Sequence, residues 1–206
     1  MTAAKRSRLS PEARRAQLLE LGVQMLSTRT LDELSIEALS EEAGISRGLL
    51  FHYFKNKQDY HRAVVQLAAD DLIATTAPDL ALEPIPRLRQ SLEQYVHYVR
   101  SNYRGYICLV RGAASGDAAL RDIFDRTRAI LTARITEHLA AFGLPDTPAV
   151  RLLAGGWSAM VEETVLAWVP DPQIPEAELL HVLTAALPAL LGVGGRPALT
   201  RPAPDR

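Results

Sequence analysis

Apolar positions along the chain recur at intervals of three and four residues, and no stretch alternates apolar and polar residues as a half-exposed strand would. The pattern predicts an all-α protein. Ser10-Pro11-Glu12 opens a first helix, with a hydroxyl at the N-cap, a proline whose missing N–H is not needed in the first turn, and a carboxylate near the positive end of the dipole. Leu18, Leu21, Gly22, Met25 and Leu26 share one of its faces. Ser35 caps a short second helix in which Ile36, Leu39, Ser40 and Ala43 point inward, and Gly44 ends it in the left-handed conformation. Ser46 caps a third helix, and Asn56 with Asp59 forms a capping-box signature for a fourth.

Beyond Pro78 the pattern predicts longer helices separated by breakers. Pro84 and Pro86 precede the stretch from Arg87 to Asn102, and Gly105, Gly112 and Gly116 bracket a short element. Asp117 to Phe142 carries the clearest long helical period, with Leu120, Ile123, Leu131, Ile135 and Leu139 in step. Val150 to Trp168 continues it, and a final helix presents Ala177, Leu180, Leu183, Thr184, Leu187 and Leu191 on one face. Residues 194–206 hold three prolines and no apolar period, and are expected to be a disordered tail.

Composition narrows the function classes. With 206 residues, 48% of them hydrophobic, the chain is long and apolar enough to bury a core. No apolar run reaches the roughly 18 residues needed to span a bilayer, and the basic start lacks the apolar region of a secretory signal, so a cytoplasmic setting is expected. One cysteine and five scattered histidines match no metal-ligand spacing, so neither a metal nor another cofactor is expected. The net charge of −1 argues at first against a nucleic-acid partner. Its distribution reverses that reading: residues 1–62 hold ten basic and eight acidic residues, and residues 1–15 alone hold five basic residues and one acidic.

The segment from Ser35 to Tyr60 is the strongest local signal. Two short capped helices joined through Gly44-Ile45-Ser46, with small Ser40 and Ala43 between them, make a helix-turn-helix. Leu50 and Phe54, four apart, anchor the second helix inward and leave Arg47, Gly48, Leu49, His52 and Tyr53 on its outer side. This segment resembles the tetracycline-repressor (TetR) family of transcriptional regulators. The resemblance is carried by Ala43-Gly44-Ile45-Ser46 and by the run Phe51-His52-Tyr53-Phe54-Lys55-Asn56-Lys57. It is specific over the first 62 or so residues and extends to the rest as size and helical layout. It implies a helix-turn-helix DNA-binding domain over 1–62, with residues 1–9 as a basic arm, and a helical ligand-binding and dimerisation domain over 63–193.

The chemistry of the residues assigns roles within that reading. Arg47 can donate two hydrogen bonds to guanine O6 and N7, and Gly48 lets the helix approach base edges closely. Ser35, Ser46 and the helix N-termini can hold phosphates. Lys55, Lys57, His52 and the arm residues Lys5, Arg6 and Arg8 add salt-dependent attraction to the backbone. The family often carries Thr and Tyr where this chain has Leu49 and Phe51, so a hydroxyl contact is absent at each position. Leu49 can instead pack on a thymine methyl, and Tyr53 can supply a hydroxyl to a phosphate.

For the larger domain the resemblance implies a small-molecule inducer, a pocket within residues 80–170 and a homodimer built from the last two helices. The pocket candidates are residues that interrupt apolar faces: Tyr95, Tyr98, Cys108, Phe124, Thr127, His138, Trp157 and Trp168. Their aromatic weight points to a largely apolar ligand. The apolar face of the final helix serves equally well for dimerisation and for packing within one chain. The reading is therefore a homodimeric repressor released from a palindromic operator by a small molecule. The alternatives are a DNA-binding dimer that takes no inducer and a small helical enzyme. The chain has no Gly-x-Ser-x-Gly and no phosphate-binding loop, and adjacent Glu162 and Glu163 point to different sides of a helix, so no catalytic residues are expected.

Overall fold

A computed structural model describes residues 10–114, 117–137 and 139–194. Among these residues there are nine α-helices and no strand: α1 Pro11–Leu26, α2 Ile36–Ala43, α3 Arg47–Tyr53, α4 Lys57–Thr75, α5 Pro84–Ser101, α6 Tyr103–Ala114, α7 Ala118–Thr136, α8 Pro148–Trp168 and α9 Glu176–Gly194. None of the described helices is long and apolar enough to cross a membrane. The arm residues Lys5, Arg6 and Arg8 lie outside the described residues, as do residues 195–206 of the tail expected over 194–206.

The helices form two compact units, Met1–Ala74 with Arg100–Thr127, and Thr75–Val99 with Arg128–Arg206. In the first, Leu18, Leu26, Leu34, Leu39, Leu50, Phe54, Tyr60 and Val64 make one buried cluster. Each such side chain contributes about 1.5–3 kcal/mol of transfer free energy. Helices of seven and eight residues have no stability of their own, so α2 and α3 persist because Ile36, Leu39 and Leu50 are buried in or against that cluster. Two polar groups are buried with it and both are satisfied. The Tyr60 hydroxyl donates to the Leu18 carbonyl at 3.2 Å, and His61 Nε2 donates to the Leu34 carbonyl at 2.7 Å.

The first unit is larger than the sequence pattern predicts. Residue 62 lies inside α4, and α6 packs against α1. Gly105, read as a breaker, sits within α6, and a Cβ there would lie 3.3 Å from Leu26 Cβ; the glycine lets two helices approach. Arg104 donates to the Thr28 carbonyl at 2.8 Å, Cys108 packs on the same core, and Arg62 pairs with Asp117 at 3.5 Å.

In the second unit, α7 and α8 are joined by two rungs one turn apart: Arg128 to Glu162 at 3.2 Å and Thr132 to Ser158 at 3.1 Å. The Trp157 indole donates to the Leu183 carbonyl at 3.1 Å and the Trp168 indole to the Ile174 carbonyl at 2.8 Å, in the order of an antiparallel pair. Leu180, Leu183, Thr184, Leu187 and Leu191 are all buried within the single chain, whereas Ala177 is exposed. The face that served equally for dimerisation and internal packing is thus used internally. Two expected boundaries also move. The helix begun at Asp117 ends at Thr136, followed by a separate 3₁₀ turn over Leu139–Phe142, and α9 carries Pro188 internally and continues to Gly194.

Candidate nucleic-acid interface

The helix-turn-helix is assembled by its caps. Ser35 Oγ accepts from the Ala38 N–H at 3.0 Å, starting α2. Gly44 ends it with φ +63°, the left-handed conformation that a Cβ disfavours, and the Ile45 N–H then closes on the Ser40 carbonyl at 3.0 Å. Ser46 Oγ accepts from the Leu49 N–H at 3.3 Å and starts α3. Both serine hydroxyls act as acceptors in these caps, so each keeps its own hydrogen for an external oxygen.

Leu50 and Phe54 are buried to within 1% exposure, which turns the rest of α3 outward. Arg47, Gly48, Leu49, Phe51 and His52 are exposed, and Tyr53 is half-buried with its ring edge-on to His52 at 5.2 Å. Phe51 is 53% exposed and Leu49 37%, unusual for large apolar side chains on a seven-residue helix with a full core behind it. The α3–α4 corner is fixed by Asn56 and Asp59. The Asp59 N–H donates to Asn56 Oδ1 at 2.8 Å, and Asp59 Oδ2 accepts from the Lys55 N–H at 3.1 Å. Lys55 is exposed. Lys57 Nζ donates to the Asp32 carbonyl at 3.1 Å, tying the ammonium to the turn that precedes α2 with two hydrogens left to give.

Two residues absent from the sequence-based set contact α3 and its C-cap, Glu37 from the exposed side and Arg15 at the buried Phe54 ring. Arg47 Nη1 lies 3.2 Å from Glu37 Oε1, in the first turn of α2, and the Arg15 guanidinium sits 5.2 Å from the centre of the Phe54 ring. Glu37 and Arg47 are ten positions apart and Arg15 and Phe54 thirty-nine, so neither pairing follows from helical spacing.

The pocket candidates divide between the units. Tyr95, Tyr98, Trp157 and Trp168 lie in the second and are buried; both indole N–H groups already have carbonyl partners. Cys108, Phe124 and Thr127 lie in the first. The Thr127 hydroxyl donates to the Ile123 carbonyl of its own helix at 2.7 Å. His138 lies outside the described residues. No group of three or more His, Cys, Asp or Glu among the described residues is arranged to hold a metal ion.

Comparison with known proteins agrees with this architecture. Residues 18–64 match the bacterial regulatory proteins of the tetR family, and residues 84–190 match the tetracyclin repressor-like C-terminal domain. The chain is similar to the HTH-type transcriptional regulator EthR of Mycolicibacterium smegmatis, with 28% identity over 91% of this chain and 92% of EthR. It is similar in structure to a TetR-family regulator from Streptomyces coelicolor, with a TM-score of 0.80 and 31% identity over 90% of this chain and 83% of that one. FadR from Bacillus subtilis, solved in complex with stearoyl-CoA, shares the fold with a TM-score of 0.65 at 18% identity, over 85% of this chain and 97% of FadR. The capped helix-turn-helix and both family matches thus lead to one conclusion: the chain belongs to the TetR family of transcriptional regulators and is a DNA-binding regulator rather than an enzyme.

Proposed function

We propose that the protein is a homodimeric repressor that places one α3 in each half-site of a palindromic operator and is released by a small, largely apolar molecule. The outward face of α3 carries this reading: Arg47, Gly48, Leu49, Phe51 and His52 are exposed together on a helix whose inner side is anchored by Leu50 and Phe54. Arg47 reads guanine, Leu49 and Phe51 offer apolar surface to thymine methyls, and Tyr53 and Lys55 reach phosphates. Ser35, Ser46 and Lys57 hold phosphates at the helix ends.

Dimerisation uses α8 and α9, but through the side opposite their buried seam. Leu152, Gly156 and Met160 recur every four residues along α8 and are exposed, with Leu152 at 78%; on α9 Val182, Ala185 and Ala189 are exposed. An apolar stripe relieved by small residues suits close packing against its own copy. The apolar character of the effector rests on Tyr95, Tyr98, Trp157 and Trp168 in the second unit, and is in keeping with the fatty-acyl thioester bound by FadR. Its binding would lower operator affinity only by its differential preference for a state in which the two reading heads no longer match the half-site spacing.

Binding titrations of two variants test the assignment of α3. Arg47→Ala should cost roughly 1–3 kcal/mol on a specific site and relax preference at one base position, while Lys57→Ala should weaken binding to all sequences alike. Unchanged binding by Arg47→Ala would place the reading surface elsewhere.

A further inference from the structure

Polar side chains buried in the second unit find partners there. The Trp157 and Trp168 indoles donate to carbonyls, and the buried Thr184 hydroxyl donates to the Leu180 carbonyl at 2.6 Å. Gln94, in α5, is the exception. Its side-chain oxygen Oε1 is shielded from solvent, and among the described residues it is the one buried side-chain nitrogen or oxygen with no hydrogen-bond partner. An acceptor stripped of water and left unpaired is costly, which is why most buried polar atoms are paired. The neighbours of Gln94 point to a use for it. Tyr98 lies four positions on and Ser91 three back, the spacing of side chains that share a helix face, and Tyr95 follows directly. Both tyrosines are buried and Ser91 is partly buried, so the unpaired oxygen lies on the part of α5 that carries the aromatic surface assigned to the effector.

We infer that Gln94 is a specificity-determining residue of the effector site, and that the effector carries a neutral hydrogen-bond donor, an O–H or N–H, on its apolar frame. This rests on the reading of the second unit as the effector domain. An amide oxygen only accepts. Its desolvation is already incurred in the free protein, so a donor that reaches it gains most of a hydrogen bond. An ether or hydrocarbon of similar shape leaves it unpaired. A carboxylate would set acceptor against acceptor. Aromatic surface thus admits apolar molecules in general, and one polar atom selects among them.

The test uses two pairs of probes that differ by one methyl group: decanol and its methyl ether, and para-pentylphenol and its methyl ether. Decanoate is the anionic control. Calorimetric titration of the full-length wild type should show each hydroxyl compound binding roughly tenfold more tightly than its ether, and decanol more tightly than decanoate. Gln94→Met and Gln94→Leu both remove the acceptor and keep an apolar stem. In each the preference should fall to within about twofold, through weaker binding of the hydroxyl compounds with the ethers little changed. A preference caused by the bulk of the extra methyl would survive both substitutions, and would overturn the inference, as would equal binding within each pair by the wild type. Tighter binding of the ethers or decanoate would mean that the amide presents its N–H groups, and would overturn it too. Urea midpoints measured without probe should not fall in either variant, because no bond is lost; a fall in both would give the oxygen a role in the fold and contradict the assignment. Binding of none of the five probes would overturn it together with the apolar-effector reading on which it rests.

Discussion

The hydroxyl of Tyr60 occupies the space that a Cβ on Gly22 would need, and Val64 Cγ2 lies only 2.6 Å from the same point. Glycine in the fourth turn of α1 is what allows Tyr60 to cross that helix and donate to the Leu18 carbonyl. Burial pushes the Tyr60 phenol well above its ordinary range, so it stays protonated and remains a donor at all physiological pH values.

Gly22→Ala should therefore destabilise the protein by roughly 1–3 kcal/mol through overpacking. At an unconstrained helix position the same change stabilises by up to about 1 kcal/mol. The sign of the shift in a urea unfolding midpoint distinguishes the two situations.

His61 predicts a pH dependence. Burial lowers its pKa below the ordinary 6.5, with Lys57 nearby acting in the same direction and the Leu34 carbonyl and Asp32 partly opposing it. The folded state therefore binds fewer protons than the unfolded chain below pH 6.5. The stability this group contributes is fully present above 6.5 and is lost as the pH falls from there toward the depressed folded value. His61→Gln retains an N–H donor for Leu34 without titrating. Urea midpoints of wild type and His61→Gln should diverge as pH is lowered through 6.5, with wild type losing more.

The exposed stripe on α8 predicts the behaviour of a monomerising variant. Met160→Arg adds a charge to that stripe without touching the Trp157 or Val161 core positions that flank it. Sedimentation should show a monomer with an unchanged far-ultraviolet spectrum. Affinity for a two-half-site duplex should fall by about a hundred- to ten-thousandfold, the avidity supplied by linking two modules. A Met160→Arg protein that stayed dimeric would move the interface off this stripe.

Local chemistry made the reading head legible in the sequence. Ser10, Ser35, Ser46 and Gly44 each act within three or four residues of themselves, and all four cap as their residue types require. Leu50 and Phe54 follow from spacing alone and are both buried. What the sequence leaves open is the partner of each face. Periodicity tells that one side of α6 is apolar, but not that Gly105 meets Leu26, so a packing glycine looks like a breaker. The same limit applies to α9, whose apolar face suits a second subunit as well as it suits α8, and to Trp157, whose hydrogen bond to Leu183 depends on a chain reversal. The pairing of Glu37 with Arg47 is likewise invisible to spacing, because it depends on where the Arg47 side chain lies.

Enrichment of DNA from a random duplex pool by the full-length protein bears most directly on the central claim. A dimer with one α3 per half-site predicts an inverted repeat whose half-site centres lie about one helical turn or slightly more apart, with a guanine in each half-site at which Arg47→Ala loses discrimination. Enrichment of no motif, or of one without two-fold symmetry and indifferent to Arg47→Ala, would contradict it.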